Sequence, residues 1–189
     1  MVDMSETRGA RREEILSAAS RMCARDGFHG VSIDELGAAV GMSGPALYRY
    51  FANKESILSA MLVDISERLL QGGRERAEDE PALEHLIDFH VDFALDHPDL
   101  IDVQARDLAA MPGEDRRTVR RLQAQYAAIW VSALRDVRPE LSDEDALAAV
   151  HATFGLINST PHSARLSRPA MAGLLRSMAL AGLTEARID

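Results

Sequence analysis

A chain of 189 residues, 47% hydrophobic and 27% charged, has the composition of a soluble globular protein and is long enough to bury a hydrophobic core. Its single cysteine, Cys23, excludes a disulfide within the chain, and we expect this residue to be buried on a helix. No apolar run approaches the ~20 residues of a membrane-spanning helix, and the N-terminal residues lack the apolar stretch of a secretory signal. We therefore expect a cytoplasmic protein.

The net charge of −9 is unevenly distributed along the chain. Residues 1–56 carry seven basic and eight acidic side chains, whereas residues 57–189 carry fourteen and twenty-two. No acidic residue occurs between Leu36 and Lys54, a segment that also contains Arg49. Because the local field matters more for phosphate contacts than the net charge does, the acidic total does not exclude a DNA-binding protein.

Apolar residues recur at helical spacing along the chain, and no segment has the alternation of a β-strand. The abundance of Ala, Leu and Arg and the low aromatic content of 5% also favour helices. The sequence therefore predicts an all-α fold of nine helices, with Gly27, Gly41 and the pair Gly72-Gly73 as helix ends. The predicted helices span residues 8–25, 33–40, 43–51, 54–71, 82–96, 99–111, 114–137, 142–159 and 169–183.

Two short predicted helices separated by Gly41 have the pattern of a helix-turn-helix. Ser32 and Glu35 have the spacing of a capping box at the start of the first helix, and Gly41 tolerates the positive φ angle that the turn requires. The apolar side chains expected to anchor the pair in the core are Ile33, Leu36, Ala39, Val40, Met42, Leu47 and Phe51. Small and polar side chains on the other side of the second helix remain available for contact with DNA.

The segment VSIDELGAAVGMSGPALYRYFANKE, residues 31–55, resembles the DNA-binding signature of the tetracycline-repressor (TetR) family. The resemblance extends over about residues 8–60 and rests on a dozen spaced positions. It implies an N-terminal three-helix helix-turn-helix DNA-binding domain, residues 1–54, and a C-terminal helical ligand-binding and dimerisation domain, residues 55–189. It also implies a homodimeric, ligand-responsive transcription regulator, usually a repressor, that binds a double-stranded DNA operator.

The resemblance also assigns roles to individual DNA-binding residues. The positions that match phosphate contacts are Ser32, Ser43, Tyr48 and Lys54. The positions that match the exposed part of the recognition helix, which enters the major groove, are Gly44, Pro45, Ala46, Arg49 and Tyr50. Arginine can pair with N7 and O6 of guanine, but an exposed Arg49 without a base contact, and a Tyr48 that packs in the core, are also consistent with the sequence.

The last two long helices form the expected dimer interface. Helices that are apolar over so much of their circumference must be buried on more than one side, and helix-turn-helix proteins usually bind paired half-sites. The alternative is that both helices lie wholly within the core of one chain. The candidate interface residues are Leu147, Val150, Phe154, Ile157, Met171, Leu174, Leu175 and Met178.

An effector pocket is expected between the central helices, lined by aromatic residues and a few polar groups, as small-molecule pockets usually are. The candidate lining residues are Phe89, Phe93, Met111, Tyr126, Trp130, Phe154 and Asn158. Their composition favours an apolar or amphipathic effector. Each of these residues is equally consistent with a role in filling the core.

The sequence contains no nucleophile motif, phosphate-binding loop or metal-ligand spacing, so we expect neither an enzyme nor a bound cofactor. His90 and His97 lie seven positions apart, too far to chelate one metal ion without other elements. The remaining alternative is a DNA-binding architectural or regulatory dimer that has no small-molecule ligand. A cavity in the second domain would favour a sensor, and a tightly filled core would favour this alternative.

Overall fold

The computed structural model describes residues 4–163 and 165–186, and these residues form helices joined by short loops, without a β-strand. None of the described helices is both long enough and apolar enough to cross a membrane. Two 3-10 turns, Phe28–Gly30 and Leu108–Ala110, accompany the α-helices. The α-helices are α1 (Met4–Asp26), α2 (Ile33–Ala39), α3 (Gly44–Leu47), α4 (Lys54–Arg76), α5 (Ala82–Asp96), α6 (Pro98–Asp107), α7 (Gly113–Val137), α8 (Asp143–Ile157), α9 (Thr160–Ser163) and α10 (Arg168–Thr184).

The predicted helix ends at Gly27 and Gly41 and the predicted capping box of Ser32 and Glu35 are confirmed. Gly27 and Gly41 have φ angles of 78° and 67°, in the left-handed region that glycine adopts readily. Ser32 accepts a hydrogen bond from the backbone N–H of Glu35 at the start of α2. Ser142 caps α8 in the same way through the N–H of Asp145. These local signals set the two short helices and the start of α8.

The prediction that Gly72 and Gly73 end a helix is wrong, because α4 continues through both residues to Arg76. Both glycines are buried. A Cβ on Gly72 would overlap the ring of Phe89, and one on Gly73 would lie 2.6 Å from Cε2 of Tyr126. The two glycines therefore allow aromatic rings to pack directly against the helix backbone. This packing offsets the low helix propensity of glycine, which costs about 1 kcal/mol per residue relative to alanine.

Two further differences concern short helical segments. The predicted recognition helix over residues 43–51 is α-helical only over Gly44–Leu47, but backbone hydrogen bonds continue helical turns as far as Phe51, whose N–H lies 3.1 Å from the carbonyl oxygen of Leu47. Thr160–Ser163 forms an additional short helix after α8. Pro161 lies inside its first turn, where a missing N–H costs nothing.

The described residues form two compact units. The first comprises those of Met1–Ile65 and Asp99–Val119, and the second comprises those of Ser66–Pro98 and Arg120–Asp189. The residues of α4 and α7 are therefore divided between the units. The predicted functional boundary between residues 54 and 55 stays a prediction, since the compact units follow a different division.

The first unit contains the three-helix core predicted at the N-terminus. α2 packs against both α1 and α3. Leu36, Leu47 and Phe51 are buried as predicted, whereas Ala39 is exposed, so its predicted inward position is wrong. Gly37 is buried in the same helix, because the backbone of the following turn approaches α2 there.

The second unit is built around α5, α8 and α10, with α10 packed against both of the others. Its core includes the fully buried side chains of Trp130 and Leu134 from α7. Arginines of α10 form ion pairs with two aspartates that lie about two turns apart on α5: Nε of Arg176 lies 2.8 Å from Asp88, and Nη2 of Arg168 lies 2.7 Å from Asp96. These partly exposed pairs align the two helices but contribute little to stability, at about 0–1 kcal/mol each.

Candidate functional sites

The turn between α2 and α3 brings the two helices unusually close together. A Cβ on Gly37 would lie 2.9 Å from the backbone nitrogen of Gly44, and one on Gly44 would fall on the carboxylate of Asp34. Gly44 is consequently buried. Its predicted place on the exposed part of the recognition helix is wrong, because this position is needed for helix packing.

The other side of α3 and its following turn forms an exposed surface. Tyr48 is 53% exposed, Arg49 and Pro45 are exposed, and Ala46 and Tyr50 are half-buried. The exposure of Tyr48 excludes the alternative that it is a core residue. The predicted DNA-contact residues of this segment, apart from Gly44, therefore remain accessible to a partner.

The two serines predicted to contact phosphates differ in their hydrogen bonds. Ser43 precedes α3, and its side chain makes no capping hydrogen bond. The hydroxyl of Ser32 donates to Oε2 of Glu35 at 2.6 Å and accepts from the Glu35 backbone N–H at 3.1 Å. The hydrogen bond from Ser32 lowers the pKa of the Glu35 carboxyl. A phosphate near Ser32 would therefore meet an ionised carboxylate. No capping hydrogen bond engages the hydroxyl of Ser43.

Lys54, the only lysine in the chain, is the first residue of α4, and its ammonium group lies over an aromatic ring. Its Nζ is 4.5 Å from the centroid of the buried Phe28 ring. A cation over an aromatic face is attracted by the ring quadrupole. The ring therefore restricts the position of the only lysine charge near the helix-turn-helix.

Three arginines of α1, which are not among the predicted site residues, contact the ends of α2 and α3 or the turns that follow them. Nη2 of Arg8 donates to the carbonyl oxygen of Arg49 at 3.0 Å, and the guanidinium of Arg12 lies 4.9 Å from the centroid of the Phe51 ring. Nη1 of Arg11 donates to the carbonyl oxygen of Val40 at 3.5 Å. Their spacing of one helical turn on α1 was the available sequence signal.

A buried histidine lies at the centre of an aromatic cluster in the second unit. The His90 ring stacks on Phe154, with centroids 4.9 Å apart and planes 12° apart, and on Tyr126, with centroids 5.6 Å apart. Trp130 meets the same ring edge-on, at 5.8 Å and 87°. We call His90, Tyr126, Trp130, Phe154 and Asn158 the His90 cluster.

Hydrogen bonds determine which nitrogen of His90 carries the proton. Nε2 lies 3.0 Å from Oδ1 of Asn158, and Nδ1 lies 3.0 Å from the hydroxyl of Tyr126. Because the amide oxygen can only accept, the neutral imidazole donates through Nε2 and accepts from Tyr126 at Nδ1. Burial lowers the pKa of His90 to about 4 and raises the pKa of the Tyr126 hydroxyl. The pair is therefore neutral at neutral pH, and it joins α5 to α7 and to the end of α8.

Four of the seven predicted effector-contact residues, Tyr126, Trp130, Phe154 and Asn158, are thus brought together in the His90 cluster. Phe89 and Phe93 lie on α5 with centroids 6.3 Å apart. Met111 is buried in the first compact unit. From the sequence, His90 is a candidate only for a metal ligand, and its position among apolar residues of α5 is the signal for a buried polar role.

An open groove of about 660 Å³ extends along α7 and α8, outside the residues predicted to bind an effector. Its lining combines small apolar side chains with an ion pair between Arg135 and Asp143, 2.5 Å apart, and ends near Leu147 and His151. Sequence periodicity could not identify it, because the groove depends on how far α7 and α8 are separated.

The residues predicted to form the dimer interface divide into two groups. One group is buried in the core of its own chain, at 5% exposure or less: Val150, Ile157, Met171 and Leu175. The other is 39% to 47% exposed: Leu147, Leu174 and Met178. Phe154 is half-buried. The expectation of direct intermolecular contact is wrong for the buried group, because these side chains already fill the chain's own interior.

Both α8 and α10 nevertheless present uncharged exposed surfaces. We call these surfaces the α8 face, Leu147, Ala148, His151, Ala152 and Gly155, and the α10 face, Ala170, Gly173, Leu174, Ser177, Met178, Ala181 and Gly182. A Cβ added at Gly155, Gly173 or Gly182 would meet no atom within 4 Å. A second backbone could therefore approach these glycines closely.

Comparisons with known proteins agree with this architecture. Residues 15–61 match the family described as bacterial regulatory proteins, tetR family, and residues 77–163 match the tetracyclin repressor-like C-terminal domain. The HTH-type transcriptional repressor NicS of Pseudomonas putida is 27% identical over 100 residues, which are 51% of this chain and 47% of NicS. The chain thus matches about half the length of this curated relative.

Solved structures share the fold over nearly the whole chain. A TetR-family transcriptional regulator from Bordetella parapertussis has a TM-score of 0.81 and 26% identity, covering 94% of this chain and 98% of its own. AibR, solved in complex with isovaleryl coenzyme A and operator DNA, has a TM-score of 0.75 and 19% identity, covering 89% of this chain and 97% of its own. With both family domains matched in chain order on an all-helical fold, the chain belongs to the TetR family of DNA-binding transcription regulators.

Proposed function

We propose that this regulator is a homodimeric cytoplasmic repressor that binds a double-stranded operator and is released by an apolar or amphipathic small molecule. The observation that carries the DNA-binding part is the exposed surface of α3 and its following turn. Tyr48 and Arg49 project from a segment that contains no acidic residue between Leu36 and Lys54. Within this segment no acidic side chain opposes the approach of the negatively charged DNA backbone.

Within this proposal, contacts to phosphates and contacts to bases come from different side chains. Ser43, Tyr48 and Lys54 donate hydrogen bonds or charge to phosphates, which position the protein without selecting a sequence. Arg49 pairs with guanine in the major groove. Ser32 has the weakest support among the phosphate contacts, since its hydroxyl already donates to Glu35. The recognition helix begins with small residues, so the shape of the DNA contributes to specificity. Arg49 and the half-buried Tyr50 and Ala46 contribute as well. Pro45 contacts the DNA backbone or the methyl group of a thymine.

The second copy is proposed to pack on the α8 and α10 faces. A helix-turn-helix that binds paired half-sites requires two recognition helices about 34 Å apart, and these faces offer uncharged helices with open glycines. Leu174 and Met178 supply exposed apolar surface on α10, and Leu147 supplies it on α8. Removal of this surface from water is the main favourable contribution to association.

The effector is proposed to act on the second unit. The groove of about 660 Å³ along α7 and α8 combines apolar surface with charged and imidazole groups, as an amphipathic molecule requires. AibR, a protein with the same fold, was solved with such a molecule, isovaleryl coenzyme A, and with operator DNA. Binding would change the relative stability of conformations that differ in the spacing of the DNA-contacting helices.

A DNA-binding dimer without an effector is the second candidate, and one observation favours it. The aromatic rings of the His90 cluster are in mutual contact, with centroid distances of 4.9 to 6.2 Å. Three residues predicted to contact an effector, Tyr126, Trp130 and Phe154, are therefore packed against one another. A fourth, Asn158, is hydrogen-bonded to His90. A small molecule would have to separate these rings or bind in the groove.

The proposed DNA contacts are tested by comparing Tyr48→Phe with Arg49→Ala. DNA sites are first selected from genomic fragments with the purified full chain, and affinity is then measured by fluorescence anisotropy on the selected site and on scrambled DNA. Loss of the phosphate contact should weaken binding to both DNAs, whereas loss of Arg49 should cost about 1–3 kcal/mol on the selected site and relax its specificity. Absence of binding to any duplex at low salt would reject the proposal, and equal effects of both variants on both DNAs would reject the division of roles.

A further inference from the structure

We propose that Arg106 and Asp107, at the end of α6, are positioning residues for DNA binding because they hold Phe28, and through it Lys54, in place. This inference rests on the proposed phosphate contact of Lys54. All four residues belong to the first compact unit. Neither Arg106 nor Asp107 lies in the helix-turn-helix, and both follow Lys54 by more than fifty positions in the sequence.

Arg106 closes the C-terminal end of α1. Its Nη2 donates to the carbonyl oxygen of Cys23 through a short hydrogen bond, and its Nη1 donates to that of Ala24 at 3.2 Å. The last carbonyls of a helix lack partners within the helix and carry partial negative charge. A guanidinium at this position therefore fixes the point where the chain leaves α1 and turns toward Phe28.

Asp107 supplies the cap that the following turn lacks. The 3-10 turn Phe28–Gly30 is preceded by Gly27, which has no side chain and makes no capping hydrogen bond. Oδ2 of Asp107, a residue only 7% exposed, accepts from the backbone N–H of Phe28 at 3.3 Å. The same oxygen lies 3.3 Å from Nη2 of Arg106. Arg106 and Asp107 thus bind the two sides of Gly27 as one ion-paired group.

Phe28 transmits this restraint to the DNA-contacting side. Its backbone N–H is held by Asp107, its ring is buried, and the face of that ring lies 4.5 Å from Nζ of Lys54. The position of the lysine charge therefore depends on the position of the ring, and the ring depends on the α6 carboxylate. Any movement of the end of α6 would displace the Lys54 ammonium relative to a bound phosphate.

If the contacts of Arg106 and Asp107 only stabilised the fold, their removal would give a different experimental result from the loss of a positioning role. It would lower stability when broken but would leave the number of phosphate contacts unchanged. That number is measured by the slope of the logarithm of affinity against the logarithm of salt concentration, which changes by about 0.9 per phosphate contact on duplex DNA. The slope therefore separates positioning from stability.

The experiment measures this slope on the selected DNA site for the full-length protein and for Lys54→Ala, Asp107→Ala and the double variant. We expect Asp107→Ala to weaken binding roughly tenfold at moderate salt and to lower the slope by about one unit, as expected for the loss of one phosphate contact. The double variant should bind no more weakly than Lys54→Ala alone. Asp107→Asn, which keeps an oxygen acceptor for the Phe28 N–H, should restore most of the affinity.

Asp115→Ala is the matched control. It breaks another side-chain hydrogen bond of the first unit, the 2.6 Å contact from Ser59 to Asp115, without touching Phe28. It should lower the melting temperature and leave the slope unchanged. Arg106→Gln, a change at a side chain that is 41% exposed, provides a second variant with the expected loss of slope if Asp107→Ala does not fold.

Two failures are distinguishable. If Lys54→Ala leaves affinity and slope unchanged, the proposed phosphate contact is rejected, and this inference with it. If Lys54→Ala lowers the slope but neither Asp107→Ala nor Arg106→Gln does, the positioning role alone is rejected. Additive losses in the double variant would also reject it.

Discussion

Gly73 on α4 and Tyr126 on α7 meet so closely that a Cβ on the glycine would lie 2.6 Å from Cε2 of the ring. The Tyr126 ring is buried, at 4% exposure, and its hydroxyl donates to His90. The absence of a side chain at one position of α4 is thus linked to the hydrogen bonds of the His90 cluster. A pair of glycines that looks like a helix end in the sequence is a packing feature in the structure.

Gly73→Ala should destabilise the protein by about 1–3 kcal/mol, because the added methyl group has to displace a ring that is held by packing and by a hydrogen bond. Gly72→Ala should cost less, since the Phe89 ring that it meets is only half-buried and can rotate. Gly9→Ala is the control: its Cβ would meet no atom within 4 Å, and the helix propensity of alanine should stabilise α1 by up to about 1 kcal/mol. Chemical denaturation measures all three, and a stabilised Gly73→Ala would contradict the packing role.

The stability of the second unit should decrease as the pH falls from 6.5 to about 4. The pKa of His90 is lowered to about 4 in the folded chain from its ordinary value of 6.5. Between these values the unfolded chain binds a proton that the folded chain does not. The free energy of unfolding therefore decreases by about 1.4 kcal/mol for each unit by which the pH falls. Above pH 6.5 this loss is absent.

His90→Gln isolates this contribution, because glutamine can donate to Asn158 and accept from Tyr126 but does not titrate in this range. Urea unfolding of both proteins at pH 7 and pH 5 should show a smaller loss for the variant. The carboxylates titrate in both proteins, so their contribution cancels in the comparison. An identical loss in both would exclude His90 as the source.

Ser32→Ala and Ser142→Ala should lower stability by similar amounts, about 1 kcal/mol each, because both serines accept a capping hydrogen bond at 3.1 Å. Both hydroxyls also donate to a carboxylate at 2.6 Å, so the two sites are closely matched. Only Ser32→Ala should in addition weaken DNA binding, at protein concentrations where both variants are folded. If the two variants bind DNA equally well, Ser32 serves only as a helix cap.

Leu174→Glu and Met178→Glu should each yield folded monomers, because they place a charge on the α10 face without entering the core. Sedimentation velocity measures the association state, and circular dichroism verifies the helix content. Val137→Glu is the control, since Val137 is 55% exposed and lies outside the α8 and α10 faces. Dimers that persist in both α10 variants would reject the proposed interface. Leu175→Glu, at a buried position, should instead unfold the chain.

The local sequence determined the features that depend on neighbouring residues. Ser32 with Glu35 predicted a capping box, Gly41 predicted a turn with positive φ, and the signature around Tyr48 predicted the helix-turn-helix and its family. These predictions succeed because hydrogen bonds between residues three or four positions apart, and the conformational freedom of glycine, depend little on the rest of the chain.

Only the tertiary structure decided which sides of those helices are covered. It placed Gly44 against Asp34, Val150 and Leu175 in the core of their own chain, and the Gly73 backbone under Tyr126. It also brought Asp107 to the N–H of Phe28 across 79 positions of sequence. Periodicity in the sequence shows that a helix has an apolar side, but segments distant in the chain decide which partner covers that side. The same distant segments decide which buried polar groups must be paired by hydrogen bonds.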